Sequence, residues 1–144
     1  MKKYILLFVG CVICLIFFHG CRNSDNQPNE KKFLAGKWLL QTLNGEEVNI
    51  EKAGSEVPYF YFNLMENKVS GNTGCNDLDG KISITETEIT FSSMAMSKIY
   101  CSEAKYEYEI VKFFFKLEPV KYKIEDNILI FTRYEKVIMT CKKL

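Results

Sequence analysis

A chain of 144 residues is long enough for one hydrophobic core, and its 19 basic against 18 acidic side chains leave it close to neutral. Only two of the basic residues are arginine, Arg22 and Arg133, so there is no cationic surplus to hold a phosphate backbone, and nucleic acid is excluded as a partner. The one histidine, His19, lies in an N-terminal segment with the features of an export signal, so the mature chain lacks the commonest general base and metal ligand.

Lys2 and Lys3 precede an uncharged run of 15 residues, Tyr4 to Phe18, which closes on FFHGC. That order makes residues 1–20 a secretory signal. A permanent membrane-spanning helix needs about 20 residues to cross ~30 Å of hydrocarbon, and the run is too short. Gly20 directly before Cys21 resembles a bacterial lipoprotein box, in which Cys21 is acylated and becomes the mature N-terminus, although Phe18 and His19 stand where such boxes have Leu followed by Ala or Ser. Acyl chains contribute ~0.8 kcal/mol per buried CH₂, enough together to hold a soluble domain on a membrane. Loss of Lys2 and Lys3 with the signal leaves 17 basic against 18 acidic residues, a mature charge near −1. Residues 21–32 contain RNSDNQPNEKK, where the only apolar residue is Pro28, and read as a polar tether. The folded domain is then 33–144.

The domain opens with FLAGKWLLQTLNGEEV, where Leu34, Trp38, Leu40 and the pair Asn44-Gly45 predict a strand and a tight hairpin turn. Residues 49–57 read as a connecting loop. In PYFYFNLMENKVSG, Phe60, Phe62 and Leu64 alternate with Tyr59, Tyr61 and Asn63, the pattern of a half-buried strand, and Glu66-Asn67 turns it back to Val69. Ile82 and Ile84, a polar turn from Thr85 to Glu88, then Ile89 and Phe91 predict a second hairpin. Tyr106, Ile110, Phe113, Phe114 and Leu117 share one helical face, with Ser102 as the expected cap, Pro119 as the stop and Phe115 left to cover a second contact. Val120, Tyr122 and Ile124, a turn at Asp126-Asn127, and the runs ILIF and VIMTC complete the chain as strands. The expected fold class is α+β: a mainly antiparallel sheet, curved and partly barrel-like, with one helix packed against it.

The segment GNTGCNDLDG, 71–80, concentrates the chemistry-bearing residues. With Cys75 as position one of a calcium loop, Asp77, Asp79, Gly80, Ile82 and Glu86 fall at positions three, five, six, eight and twelve. Position one, however, holds a soft sulfur, and strands flank the loop where the motif needs helices. An anion cradle would lead into a helix N-terminus, and here the glycines lead into the strand KISI. A nucleophilic Cys75 would need a base to form thiolate. Met94, Met96 and Cys101 would suit Cu(I), although methionines more often fill cores. A bridged turn remains: Gly71, Gly74 and Gly80 allow sharp bends, and Asn72, Asn76 and Asp77 suit local bonds to backbone NH groups. Beyond the anchor the mature thiols are Cys75, Cys101 and Cys141, an odd number, so at most one pair forms within the chain. Cys75 with Cys101 is the favoured pair, and Cys141, in an apolar strand, reads as a buried thiol.

The stretches LAGKWLLQTLNGEEV, VSGNTGCNDLDGKI, ITFSSMAMSKIYC and YEYEIVKFFFKLEPVKYKIEDNILIF resemble, in order and spacing, the META domain of HslJ-like envelope proteins. The residues that carry the likeness are Gly36, Trp38, Gly45, Gly71, Gly74, Cys75, Asn76, Gly80, Met94 and Cys101. Ser97, Ile99 and Tyr100 replace the family's usual Thr, Met and Ala, and Ile82 stands where an aromatic is common. The resemblance implies a compact β structure with a helix, in envelope proteins linked to heat shock, drug resistance and in some cases motility or virulence, and no established catalytic activity. The expected function is therefore a lipid-anchored, non-enzymatic envelope protein with no cofactor or metal, held to the membrane through Cys21 and acting on an envelope partner. The outer membrane is favoured over the inner because Arg22, not Asp, follows the anchor. The alternative is a binding module for a sugar or apolar molecule, motivated by the 8 Tyr and 11 Phe and by the tyrosine face of PYFYF.

Overall fold

The structure is a computed structural model and describes residues 30–49, 56–102 and 104–144. The signal segment, Cys21, most of the tether and most of the expected loop at 49–57 lie outside the described residues. Among the described residues a short helix, α1 (Glu30–Leu34), comes first and takes in Lys31 and Lys32 from the C-terminal end of the predicted tether. Nine strands follow: β1 (Gly36–Leu43), β2 (Glu46–Glu47), β3 (Tyr59–Asn63), β4 (Lys68–Asn72), β5 (Asp77–Ile84), β6 (Glu88–Met96), and, after helix α2 (Glu107–Phe114), β7 (Val120–Glu125), β8 (Ile128–Arg133) and β9 (Lys136–Lys143).

All the pairings are antiparallel. Consecutive strands are neighbours from β3 to β9, β1 lies beside β3, and a further β1–β9 ladder closes the ring, with β2 hooked onto the outside of β1. The curved sheet is thus a complete eight-strand barrel. Closure removes the exposed edges that would otherwise pair with another chain, except along much of the β6–β7 seam.

Strand alternation puts one residue in two inside. Phe60 and Phe62 of β3, Ile89 and Phe91 of β6, Val120 and Tyr122 of β7, Leu129 and Phe131 of β8, and Met139 and Cys141 of β9 are all buried. Extra residues bend the wall in three places. The register shifts between Leu40 and Thr42 of β1, so that Leu43 returns to the inside after Trp38 and Leu40. Ser93, with φ at 50°, bulges β6, and a third shift separates Phe131 from Thr132 where β8 meets β9. Two hairpin turns match their expected sequences, Asn44-Gly45 and Asp126-Asn127, each with both residues at positive φ.

The seam between β6 and β7 is thin, with only Glu88↔Lys121 and Ile89↔Val120 in register. Helix α2 lies in the connection between these strands and packs Ile110, Phe113 and Phe114 against the core. The Phe114 ring centroid stands 4.6 Å from that of Phe60 and 4.8 Å from that of Phe91, and Phe113 stands 5.1 Å from Phe131. Tilted and edge-on pairs of this kind add about 0.5–1.5 kcal/mol each to the burial of their area. At its start, Tyr106 donates from its hydroxyl to the Glu47 carbonyl at 3.4 Å and accepts from the Asn49 NH at 3.0 Å. Helix α1 is held separately, through the Trp38 indole NH donating to the Leu34 carbonyl at 2.7 Å.

The helix is shorter than its periodicity predicts. It begins at Glu107, with Tyr106 at the N-cap and no side-chain cap, so Ser102 does not cap it. It ends when the Phe115 NH bonds the Val111 carbonyl, which leaves Leu117 71 % exposed instead of on the buried face. The reason is tertiary: the chain ahead of the helix is tied down elsewhere, through Cys101 and Ile99. Leu34 lies in α1 and not in the first strand, although it is fully buried as expected.

Phe91 touches Phe113, Phe114 and Phe131 and has no exposed surface. Phe91→Ala should therefore lower unfolding stability by about 3–5 kcal/mol, read from the shift of a chemical-denaturation midpoint.

Candidate functional site

The ten residues 71–80 leave β4, make a turn and enter β5, and Gly71 to Asn76 are all buried. This polar segment is inside the protein, so each of its hydrogen-bonding groups needs a partner there. Gly71 lies where a side chain would overlap the carbonyl oxygen of Tyr59 on the adjacent strand, so only glycine fits. Gly74 has φ at 97° and lets the chain reverse between Asn72 and Asn76. The reversal is fastened locally: the Asn72 Oδ1 accepts the Gly74 NH at 2.7 Å, and the Asn72 amide donates to Asp77 at 2.9 Å.

Asn76 is the centre of the site. Its Oδ1 accepts the Ile99 NH at 2.7 Å and the Ser97 hydroxyl at 2.8 Å. Its Nδ2 donates to the Ile99 carbonyl at 2.9 Å and to Glu107 Oε1 at 2.7 Å. Thr73, fully buried, donates its hydroxyl to the same Glu107 oxygen at 2.7 Å and accepts the Asn76 NH at 2.9 Å. Glu107 belongs to the first turn of α2, where a carboxylate also suits the helix dipole. One amide therefore joins the turn, the 97–99 segment and the helix start. The local NH bonds expected of Asn76 are instead long-range ones, to partners more than 20 residues away.

Beside Asn76, Cys75 and Cys101 form a disulfide with their Cα atoms 6.1 Å apart, the favoured pairing. A bridge spanning 26 positions should stabilise the fold by roughly 3–4 kcal/mol. It also takes both sulfurs out of nucleophilic or metal chemistry. Met94 is half-buried with its thioether lying over Gly80, and Met96 packs against the core. Asp77 and Asp79 point outward from β5, and among the described residues no three His, Cys, Asp or Glu side chains converge as metal ligands do. Cys141 is free and fully buried, and burial pushes its thiol far above the usual range.

The other residues of the sequence motif shape the barrel. Gly36, with φ at 113°, opens β1, Trp38 fills the core and Gly45 completes the first hairpin turn. The tyrosine face of β3 is partly covered, because the Lys37 ammonium stands 3.7 Å from the centroid of the Tyr59 ring. Thr73 and Glu107 complete the network without a sequence signal that marks them, and Ser97, noted in the sequence only for replacing the family's Thr, supplies a hydroxyl to Asn76. For Glu107, the only signal is an acidic residue in a first helical turn, which the dipole alone explains.

Two outcomes are expected. Asn76→Ala should cost roughly 1–3 kcal/mol by stranding partners inside the protein, and Asn76→Asp, which keeps the shape but sets a carboxylate against Glu107, at least as much at neutral pH. Both are read by denaturant titration. In alkylation with iodoacetamide followed by intact-mass measurement, none of Cys75, Cys101 and Cys141 should react in the native protein. Cys141 alone should react after denaturation, and all three after reduction.

The model of one protein family, the META domain, matches residues 31–143. Among solved structures, one determined by NMR is 19 % identical, with a TM-score of 0.64 covering 81 % of this chain and 96 % of its own. An NMR structure of a protein from Burkholderia xenovorans is 12 % identical, with a TM-score of 0.60 covering 82 % of this chain and 88 % of its own. At these identities the likeness establishes a shared fold alone. No curated protein matches the chain. With the family match spanning nearly the whole barrel and the bridged turn at its centre, the chain belongs to the META domain family.

Proposed function

We propose that this protein is a lipid-anchored, non-enzymatic component of the bacterial cell envelope that supports envelope integrity under stress or drug exposure. The observation that carries the reading is the Cys75–Cys101 disulfide, because such bridges persist in oxidising compartments outside the cytoplasm. It agrees with the export signal of residues 1–20 and with Cys21 following Gly20 as the anchor. Acylated Cys21 and a polar tether hold the domain close to the membrane, at the outer membrane in preference to the inner, where it acts through a protein neighbour.

The non-enzymatic part of the proposal rests on how the motif residues are used. The Cys75 sulfur is bonded to Cys101, and both ends of the Asn76 amide are engaged within the protein. These residues therefore support a shape and leave no nucleophile and base poised together. The tyrosine-face alternative loses support from the Lys37 ammonium over Tyr59.

The test has two readouts. Full-length protein should fractionate with membranes, and Cys21→Ala should release it or leave an unprocessed precursor. Deletion of the gene should raise sensitivity to antibiotics or detergent, restored by the wild-type gene and not by the Cys21→Ala form. A Cys21→Ala protein that is processed and membrane-bound like the wild type would remove the anchor, and unchanged sensitivity across envelope-stress assays would remove the role.

A further inference from the structure

Arg133 ends β8, and its guanidinium carbon stands 5.8 Å from the centroid of the Phe113 ring on α2. Its Nε and Nη2 are shielded from solvent and have no hydrogen-bond partner. A buried unpaired donor costs about 1–3 kcal/mol, and a charged one more. These two nitrogens share one edge of the guanidinium, the edge whose parallel N–H bonds match the two oxygens of a carboxylate. The neighbouring charges are engaged with each other. Lys116 lies 2.8 Å from Glu118 and holds that carboxyl below its usual range, with the Arg133 charge adding a smaller attraction that leaves Nε and Nη2 unbonded, and Lys112 lies 3.7 Å from Glu109, which also accepts from the Asn44 amide at 3.1 Å.

Arg133 lines a groove of about 480 Å³ between α2, the β1–β2 turn and β9. The volume is that of a small-molecule site. Leu43, Phe113, Phe115 and Ile138 give it apolar walls, while Lys112 and Lys116 supply positive charge beside Arg133, and Glu109, paired with Lys112, and Asn44 complete the polar lining. Phe115, expected to cover a second contact apart from the helix's main face, is 41 % exposed and forms part of this wall.

We infer that the groove binds a small carboxylate with an apolar body, the carboxylate accepting from Nε and Nη2 of Arg133 and the body lying on Phe113, Phe115 and Ile138. Entry requires the exposed Lys112 side chain, and the half-buried Lys116 paired with Glu118, to swing aside, a side-chain motion and not a backbone one. Binding would turn the two unpaired donors into a charge-assisted pair with the stacked ring below. The site goes beyond the envelope role and does not depend on the anchor, since an unlipidated domain would carry the same groove.

The test is a ligand-observed NMR titration of the purified full chain with 4-phenylbutanoate. Two comparison probes are 4-phenylbutanol, with the same body and no charge, and inorganic phosphate, with charge and no body. Saturable binding of 4-phenylbutanoate tighter than either comparison is expected. Arg133→Met should weaken it by at least about tenfold while leaving the thermal midpoint unchanged or higher, because two unpaired donors are removed. Arg133→Lys keeps the charge and lacks the fork, so it should also lose binding in a folded protein. The inference is overturned by the absence of saturable binding up to about 10 mM. Equal binding of the alcohol or of phosphate, or Arg133→Lys or Arg133→Met binding as the wild type does, would overturn it equally.

Discussion

Three pieces of chain meet at the Asn76 side chain: the turn between β4 and β5, the segment after β6, and the first turn of α2. Each brings backbone or side-chain groups that burial would otherwise leave unpaired, and an amide offers donors and an acceptor together where an apolar residue offers neither. The disulfide next to it fixes the same two segments covalently but does not reach the helix. The amide and the bridge are therefore not duplicates. The bridge restricts the unfolded chain, while the amide sets where α2 begins and which way it points.

The direction of α2 matters because the barrel is nearly unpaired along one seam. With β6 and β7 joined by two residue pairs, the wall depends on Phe113 and Phe114 reaching across to Phe60, Phe91 and Phe131. A closed barrel of this size is filled by side chains, and the helix supplies those the strands do not. Glycine at 71 lets β4 lie against the Tyr59 carbonyl of β3 just before the turn, and Asn76 in that turn bonds Glu107 of α2, so the polar knot and the aromatic plug meet on one helix.

The strands are legible where one face is buried and the other wet, as in β3 and β7, since a period of two has no other simple origin, whereas β8 shows as the short apolar run ILIF with both faces covered. The Cys75–Cys101 pair was legible from the parity of the thiols and the environment of Cys141. The turn at Tyr134-Glu135 was not. Both residues adopt positive φ, at 50° and 60°, although neither favours it, because the β8–β9 ladder on either side dictates the geometry. The helix stops short of its apolar periodicity for a related reason: periodicity records which residues are apolar, and Leu117 is apolar but lies beyond the point where Phe115 closes the last turn. The partners of Asn76 were hidden because two of them are backbone groups of Ile99, which no side-chain identity encodes.

Hydrogen-bond satisfaction separates the two polar regions of the molecule. In the bridged turn, Asn72, Thr73 and Asn76 are buried and bonded within the chain, so the residues that most resemble a catalytic motif are committed to structure. Among the described residues, the buried side-chain donors left without a partner are both on Arg133, far in sequence from that motif. An apolar residue would pack against Phe113 without burying unpaired donors, so the chain's own packing does not account for a guanidinium at this position. The inferred carboxylate would pair this edge, and the apolar walls around Arg133 define what else such a ligand must carry.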